Sequence, residues 1–185
     1  MNYKVHASCS FSVILLLAAL LSTCLQAKAA RPPEDNPQVT QLLEDIEAQA
    51  ADLQRDSDEL ESYTHSQVSW ESHATELEAI KEHINKIGQT IQKLQSMRSS
   101  ASPWQQEAVD RIIPVAQKLA SNTTAAIERL NRNRTHLQDP QYQEYLKSNA
   151  EAAKELSSIV KDFVDYGKTR NALERLEKRL EVARN

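Results

Sequence analysis

Histidine and aromatic side chains near predicted helix ends are the part of this sequence best suited to chemistry. Imidazole nitrogens bind Zn²⁺, Ni²⁺ or Cu²⁺, and protonation near their ordinary pKa of about 6.5 would open such a site. The histidines are His65, His73 and His136, and the aromatic residues are Tyr63, Trp70, Tyr142 and Tyr145. A metal or small-ligand site is one hypothesis. The favoured hypothesis is that the rings close one end of a helical core, with the histidines solvated or hydrogen-bonded.

Sequence motifs of enzymes and of cofactor-binding proteins are missing. The Glu-x-x-His spacing places two metal ligands on one helix face. It does not occur here, because the residues three positions before His65, His73, His83 and His136 are Ser62, Trp70, Ile80 and Asn133. Cys9 and Cys24 cannot form a haem-attachment motif, and no Gly-rich phosphate loop, nucleophile elbow or zinc-protease motif is present. We therefore predict that the protein is not an enzyme and uses no cofactor.

The elements that would position these side chains are four amphipathic helices. Apolar residues recur at steps of three and four, which places them on one stripe of an α-helix. The most regular stripe consists of Trp70, His73, Leu77, Ile80, Ile84, Ile87, Ile91 and Leu94. The helices are predicted at about 37–64, 69–98, 103–137 and 140–184.

Helix starts are the best-marked boundaries in the chain. Asn36, Ser102 and Asp139 can each cap a helix, and each is followed by a proline in the first helical position. Gln105 completes a capping box with Ser102. Ser69 is predicted to cap the second helix, after a break between residues 64 and 68.

Short connections between long amphipathic helices make neighbouring helices run antiparallel. We therefore predict an all-α, up-down-up-down four-helix bundle with coiled-coil-like packing. In this topology the acidic first helix runs beside the basic end of the fourth. Pro114, inside the third helix, is expected to kink it or to divide it in two.

The fourth helix is predicted to be much longer than its partners. It either overhangs the bundle or breaks near Gly167, because its apolar stripe changes register there. Beyond that point Leu173, Leu176, Leu180 and Ala183 form a new stripe. Packing of this stripe on the bundle is the favoured interpretation, and contact with a partner or a second copy is the alternative.

Residues 1–29 are typical of a secretory signal peptide, with cleavage predicted after Ala29. Residues 30–36 are then a polar linker, and 37–185 form the bundle. Cleavage before Cys24 with lipid attachment is a less favoured alternative. No other apolar run could anchor the chain in a membrane.

Loss of residues 1–29 leaves 20 basic against 26 acidic side chains, a formal net charge of −6, which argues against nucleic acid as a partner.

These observations predict a secreted or periplasmic bundle without catalytic activity. Its expected role is protein–protein interaction, as a scaffold or with chaperone-like binding, through a protein partner or self-association. The four aromatic residues Tyr63, Trp70, Tyr142 and Tyr145 are the predicted contacts. The alternative is metal or small-ligand binding through His65, His73 and His136.

Overall fold

The computed structural model describes residues 34–184, and these form four helices joined by short connections. The helices are α1 (Pro37–Ser62), α2 (Trp70–Met97), α3 (Pro103–Arg132) and α4 (Pro140–Arg184). Single 3₁₀ turns follow α1 at Tyr63–His65 and α2 at Arg98–Ser100. The predicted signal peptide, its predicted cleavage site, Cys24 and residues 30–33 of the predicted linker lie outside the described residues.

The helices pack against each other as an all-α bundle, as predicted. α1 contacts α2 and α4, and α3 contacts the same two helices, so the four form a closed ring. Residues before α1 bond to the start of α3, which places these two starts at one end and confirms the up-down-up-down order. Between residues 34 and 184 no strand occurs, and no helix is long and apolar enough to cross a bilayer.

At three of the four predicted caps a side chain bonds to a free backbone N–H group at the helix start. The side-chain oxygen of Asn36 accepts from the Gln38 N–H at 3.0 Å, and the Ser69 hydroxyl accepts from the Ser72 N–H at 3.3 Å. The Asp139 carboxylate accepts from the Gln141 N–H at 2.8 Å. The predicted starts are therefore confirmed.

The predicted end of the third helix is wrong. α3 ends at Arg132, five residues before the predicted end at 137, and Asn133 leaves the helix with φ −150° and ψ 74°. The Asn133 side chain bonds to the Thr135 hydroxyl at 3.2 Å. Asn favours turns because its side chain offers the local chain an alternative to helical bonding. Pro114 does not divide α3, which is one helix on both sides of it.

The core consists of the predicted stripes of α1, α2 and α3, together with one face of α4. The largest fully buried side chains are Leu43, Ile46, Leu53, Leu60, Leu77, Ile80, Ile87, Leu94, Ile112, Leu119, Tyr142 and Leu146. One buried polar pair lies within the core. The side-chain amide of Asn149 donates a hydrogen bond to the Thr123 hydroxyl at 2.9 Å. This bond joins α3 to α4 and favours one register between them, because any slip would leave both groups buried and unpaired.

α4 is not broken at Gly167. A Cβ at this position would lie 2.8 Å from Cη2 of Trp104, so the glycine allows the indole of α3 to approach the backbone of α4. Val160 and Val164 are buried on the same face, whereas Tyr166 is 52% exposed. The register change in the sequence therefore marks a close helix contact, and the helix continues through it.

α4 is 45 residues long, against 26, 28 and 30 for α1, α2 and α3. From Leu173 to Arg184 every residue is exposed, which shows that α4 overhangs the bundle. The segment 171–184 corresponds to about 21 Å of helix at the rise of ~1.5 Å per residue. We call this segment the overhang.

Replacement of each glycine by alanine separates helix propensity from packing. Gly88→Ala, in α2, adds a Cβ with no atom within 4 Å and should raise the free energy of unfolding by about 0.5–1 kcal/mol. Gly167→Ala gains the same helix propensity, but its Cβ overpacks against Trp104 at a cost of ~1–3 kcal/mol. This variant should therefore have a lower free energy of unfolding than the wild type. Urea denaturation of the two variants measures both changes. Equal stabilisation by the two would contradict the packing argument.

Candidate interaction surface

The predicted histidine and aromatic end of the bundle is closed by its own side chains. His73 is buried, and its Nδ1 lies 3.0 Å from the hydroxyl of buried Tyr142. The Tyr63 ring packs edge-on against His73, with 5.4 Å between ring centroids. Burial lowers the pKa of His73, which is therefore held neutral. A hydrogen bond to Glu59 raises the pKa of Tyr63 to about 12.

The other two predicted metal ligands are exposed, unlike His73. His136 is exposed, and its Nδ1 lies 2.9 Å from the Asn133 side-chain oxygen. His65 is exposed beside Glu61 and Lys147. No group of three or more His, Cys, Asp or Glu side chains among residues 34–184 could hold a metal ion. The structure therefore does not bring His65, His73 and His136 together as one ligand set.

The predicted partner contacts are largely occupied within the chain. Tyr142 is 1% exposed and cannot reach a partner in this conformation. The Arg134 guanidinium lies over the half-buried Trp70 ring, 4.2 Å from its centroid. Half-buried Tyr145 accepts a hydrogen bond from the Gln141 amide at 3.1 Å. These aromatic residues cover the end of the core, in agreement with the favoured hypothesis.

At the opposite end, Gln105 joins the starts of two helices. Its side-chain oxygen accepts from the backbone N–H of Ser102 and of Asn36, both at 3.0 Å. Its amide donates to the Asn36 carbonyl at 2.9 Å and to the Thr40 hydroxyl at 3.0 Å. The sequence predicted only the bond to Ser102, because the bonds to α1 depend on tertiary packing.

Asp35, predicted as part of a linker, fixes α4 at the point where it leaves the bundle. Its Oδ1 accepts from the Trp104 indole N–H at 2.7 Å and from the Arg170 guanidinium at 3.1 Å. The ion pair is mostly buried, with 12% of the Asp35 side chain and 20% of the Arg170 side chain exposed. Lys168 adds a looser ion pair with Glu47 at 3.6 Å, as the charges of α1 and α4 predicted. The overhang thus starts from a rigid base.

Exposed apolar surface is concentrated on the outer part of α4. All the large hydrophobic side chains that are exposed within residues 34–184 lie between Tyr166 and Val182. We define the outer stripe as Tyr166, Thr169, Leu173, Leu176, Leu180 and Ala183. The three leucines are 55%, 48% and 71% exposed, so the favoured prediction that this stripe packs on the bundle is wrong.

The outer stripe faces away from the bundle. At ~100° per residue its centre lies roughly 180° around α4 from the buried pair Val160 and Val164. Residues seven apart drift by ~20° per heptad on a straight helix. Exposure increases along this drift at positions seven residues apart. Ile159 is partly buried at the edge of the core, whereas Tyr166 and Leu173 are exposed. From Leu173 onward the stripe therefore lies on the face of α4 opposite the buried one.

A shallow cleft of about 240 Å³ adjoins the stripe where α4 meets α3. Tyr166 packs edge-on against Trp104 at 5.6 Å, and Arg111 lies 5.5 Å from the centroid of the Phe163 ring. Ile159 also lines the cleft. These rings extend the apolar surface of the stripe towards the bundle.

No family model matches the sequence, and no curated protein or solved structure is significantly similar to it.

Burial of neutral His73 should make the protein less stable in acid. Its pKa is lowered from 6.5 in the folded state, so the unfolded chain binds more protons, and stability falls as the pH drops below 6.5. His73→Gln keeps a polar partner for Tyr142 and should reduce the loss of unfolding free energy between about pH 7.5 and 5.5. Denaturant titrations at both pH values measure this loss. Exposed His136→Gln should match the wild type, and an unchanged loss in His73→Gln would refute the assignment.

Proposed function

We propose that this protein is a secreted, non-catalytic interaction protein that binds other proteins through the outer stripe of α4. The observation that carries the proposal is the concentration of exposed Leu173, Leu176 and Leu180 on one face of a helix that overhangs its bundle. Contiguous exposed apolar patches on otherwise polar proteins mark interaction sites, whereas single exposed leucines are ordinary.

The spacing of the stripe suits recognition by another helix or by a helix-binding groove. Leu173, Leu176 and Leu180 stand at positions i, i+3 and i+7, the pattern by which an amphipathic helix presents its anchors to a groove. The overhang carries four basic and three acidic side chains, so it has no strong charge of one sign. This mixture favours a protein partner over nucleic acid or an anionic membrane.

The base of the overhang supports the same role. An isolated helix of about 14 residues is marginal in water, because the first turn is costly to form. Here the overhang continues a helix already held by Asp35, Trp104 and Gly167. The stripe is therefore preorganised, and a partner need not supply the free energy of helix nucleation.

Binding by the stripe is tested with paired variants of the exported protein. Leu173→Glu/Leu180→Glu places two charges on the stripe. The matched control, Val182→Glu, makes the same kind of change at a 78% exposed residue about 200° around the helix from Leu180. Each protein is immobilised and exposed to an extract of the compartment into which it is exported. Capture should be lost in the double variant and kept in the control. Equal capture by all three proteins would refute the proposal.

Secretion is proposed from the composition of residues 1–29 and is tested by the mass of the protein recovered after export. We expect an intact mass that corresponds to a chain beginning at Ala30. A lipid-modified chain beginning at Cys24, or a full-length chain retained in the cell, would contradict the proposed processing.

A further inference from the structure

We infer that the outer stripe binds the outer stripe of a second copy of this chain, and that the two α4 helices run antiparallel. This inference rests on the proposed function and names the partner at the same surface. Three features of the outer stripe and its flanks lead to this inference. They are the heptad positions of the stripe residues, the sizes of the side chains that would meet, and the charges beside them.

The apolar residues of the stripe occupy the two core positions of a heptad repeat. Tyr166, Leu173 and Leu180 are seven residues apart, and Thr169, Leu176 and Ala183 alternate with them at steps of three and four. This is the a and d pattern of a two-stranded coiled coil. The stripe faces away from its own bundle, so a second helix can lie along residues 165–184 without displacing α1 or α3.

Side-chain sizes favour the antiparallel orientation. When two such helices run antiparallel, each a position faces a d position, and the layers can be paired directly. The layers are Tyr166 with Ala183, Thr169 with Leu180, and Leu173 with Leu176, each formed twice. Every outer layer then joins a large side chain to a smaller one, which fills the seam evenly. A parallel pair would instead stack Tyr166 on Tyr166 and Ala183 on Ala183, so that the width of the seam would change from end to end.

Charges beside the seam favour the same orientation. The antiparallel register places Glu177 of the second copy near Arg170, and by symmetry this happens twice. Within its own chain Arg170 already pairs with Asp35 and Glu174, so this contact is favourable but adds little. A parallel pair would bring Asp165 to Arg170, but it would also set Arg179 against Arg184 of the second copy, twice. Asp165 already pairs with Lys161 within its own helix. Only the antiparallel arrangement avoids a repulsive pair at the flanks.

The expected overlap is about 20 residues of each α4, or about 30 Å. An interface of this size is small, so we expect reversible dimers with a dissociation constant on the order of micromolar. The two bundles would lie at opposite ends of the joined helices. Tyr166 and the neighbouring cleft of each copy would then lie beside the last turn of the other.

The test compares the exported wild-type protein with Leu173→Glu/Leu180→Glu and Val182→Glu by sedimentation velocity between roughly 1 and 200 µM. The wild type and Val182→Glu should shift from monomer to dimer as concentration rises, and the double variant should stay monomeric. Circular dichroism should give the same helix content for all three at low concentration, because the substituted side chains are exposed. A wild type that is monomeric throughout, or a dimer that persists in the double variant, overturns the inference.

Orientation is tested with a nitroxide attached to Arg184→Cys, since both natural cysteines lie within residues 1–29. In the antiparallel dimer residue 184 lies level with residue 165 of the second copy. The two labels are then about 28 Å apart along the axis. In a parallel dimer they would be separated only by the helix spacing of ~10 Å and their own linkers. A short distance between the labels overturns the inference.

The outcomes separate this inference from the proposed function. If the wild type stays monomeric but still captures another protein through the stripe, self-association is wrong and the proposed function stands. If the dimer forms through the stripe and no other protein is captured, the inference stands and the second copy is the partner of the stripe. If neither dimer formation nor capture of another protein depends on the stripe, the inference and the proposed function are both wrong.

Discussion

The structure depends on the burial of four apolar helix stripes against one another, and the helices differ in length. Helices of 26, 28 and 30 residues can cover a fourth helix only over their own span, and α4 has 45 residues. An apolar stripe on the remaining length must therefore meet water or another molecule. The outer stripe is in this position, and its leucines are the reason to assign function to the overhang instead of to the bundle.

The two ends of the bundle show how polar and aromatic groups can close an apolar core. At one end the hydrogen bond between His73 and Tyr142 lets two polar side chains be buried together. At the other end Gln105 and Asp35 bond to groups from three helices. Within residues 34–184 the exposed large hydrophobic side chains all adjoin this second end. The end richest in histidine and aromatic residues is thus closed by its own side chains, and the exposed apolar stripe lies at the opposite end.

The overhang combines rigidity with exposure. Asp35 and Trp104 hold α4 at its last point of contact with the bundle, and the helix then continues with its leucines on the outer face. A flexible tail of the same composition would lose more conformational entropy on binding. The rotation of the stripe by roughly half a turn relative to the buried face also directs any partner away from α1 and α3.

The sequence by itself determined the helices, their caps and their order. Apolar periodicity and caps followed by proline are local signals, and they identified the helix starts and all the buried residues of α2. Of the predicted α2 stripe, Trp70 alone is half-buried. The sequence did not determine whether the last apolar residues of α4 would face the bundle or solvent, because helix propensity does not depend on what packs beside a helix. Only the tertiary structure decided that Gly167 is a contact for Trp104 and that Leu173 and Leu180 stay exposed. It also decided that His65, His73 and His136 do not form one metal-binding group. These outcomes depend on relative helix length and rotation, which no short segment of sequence encodes.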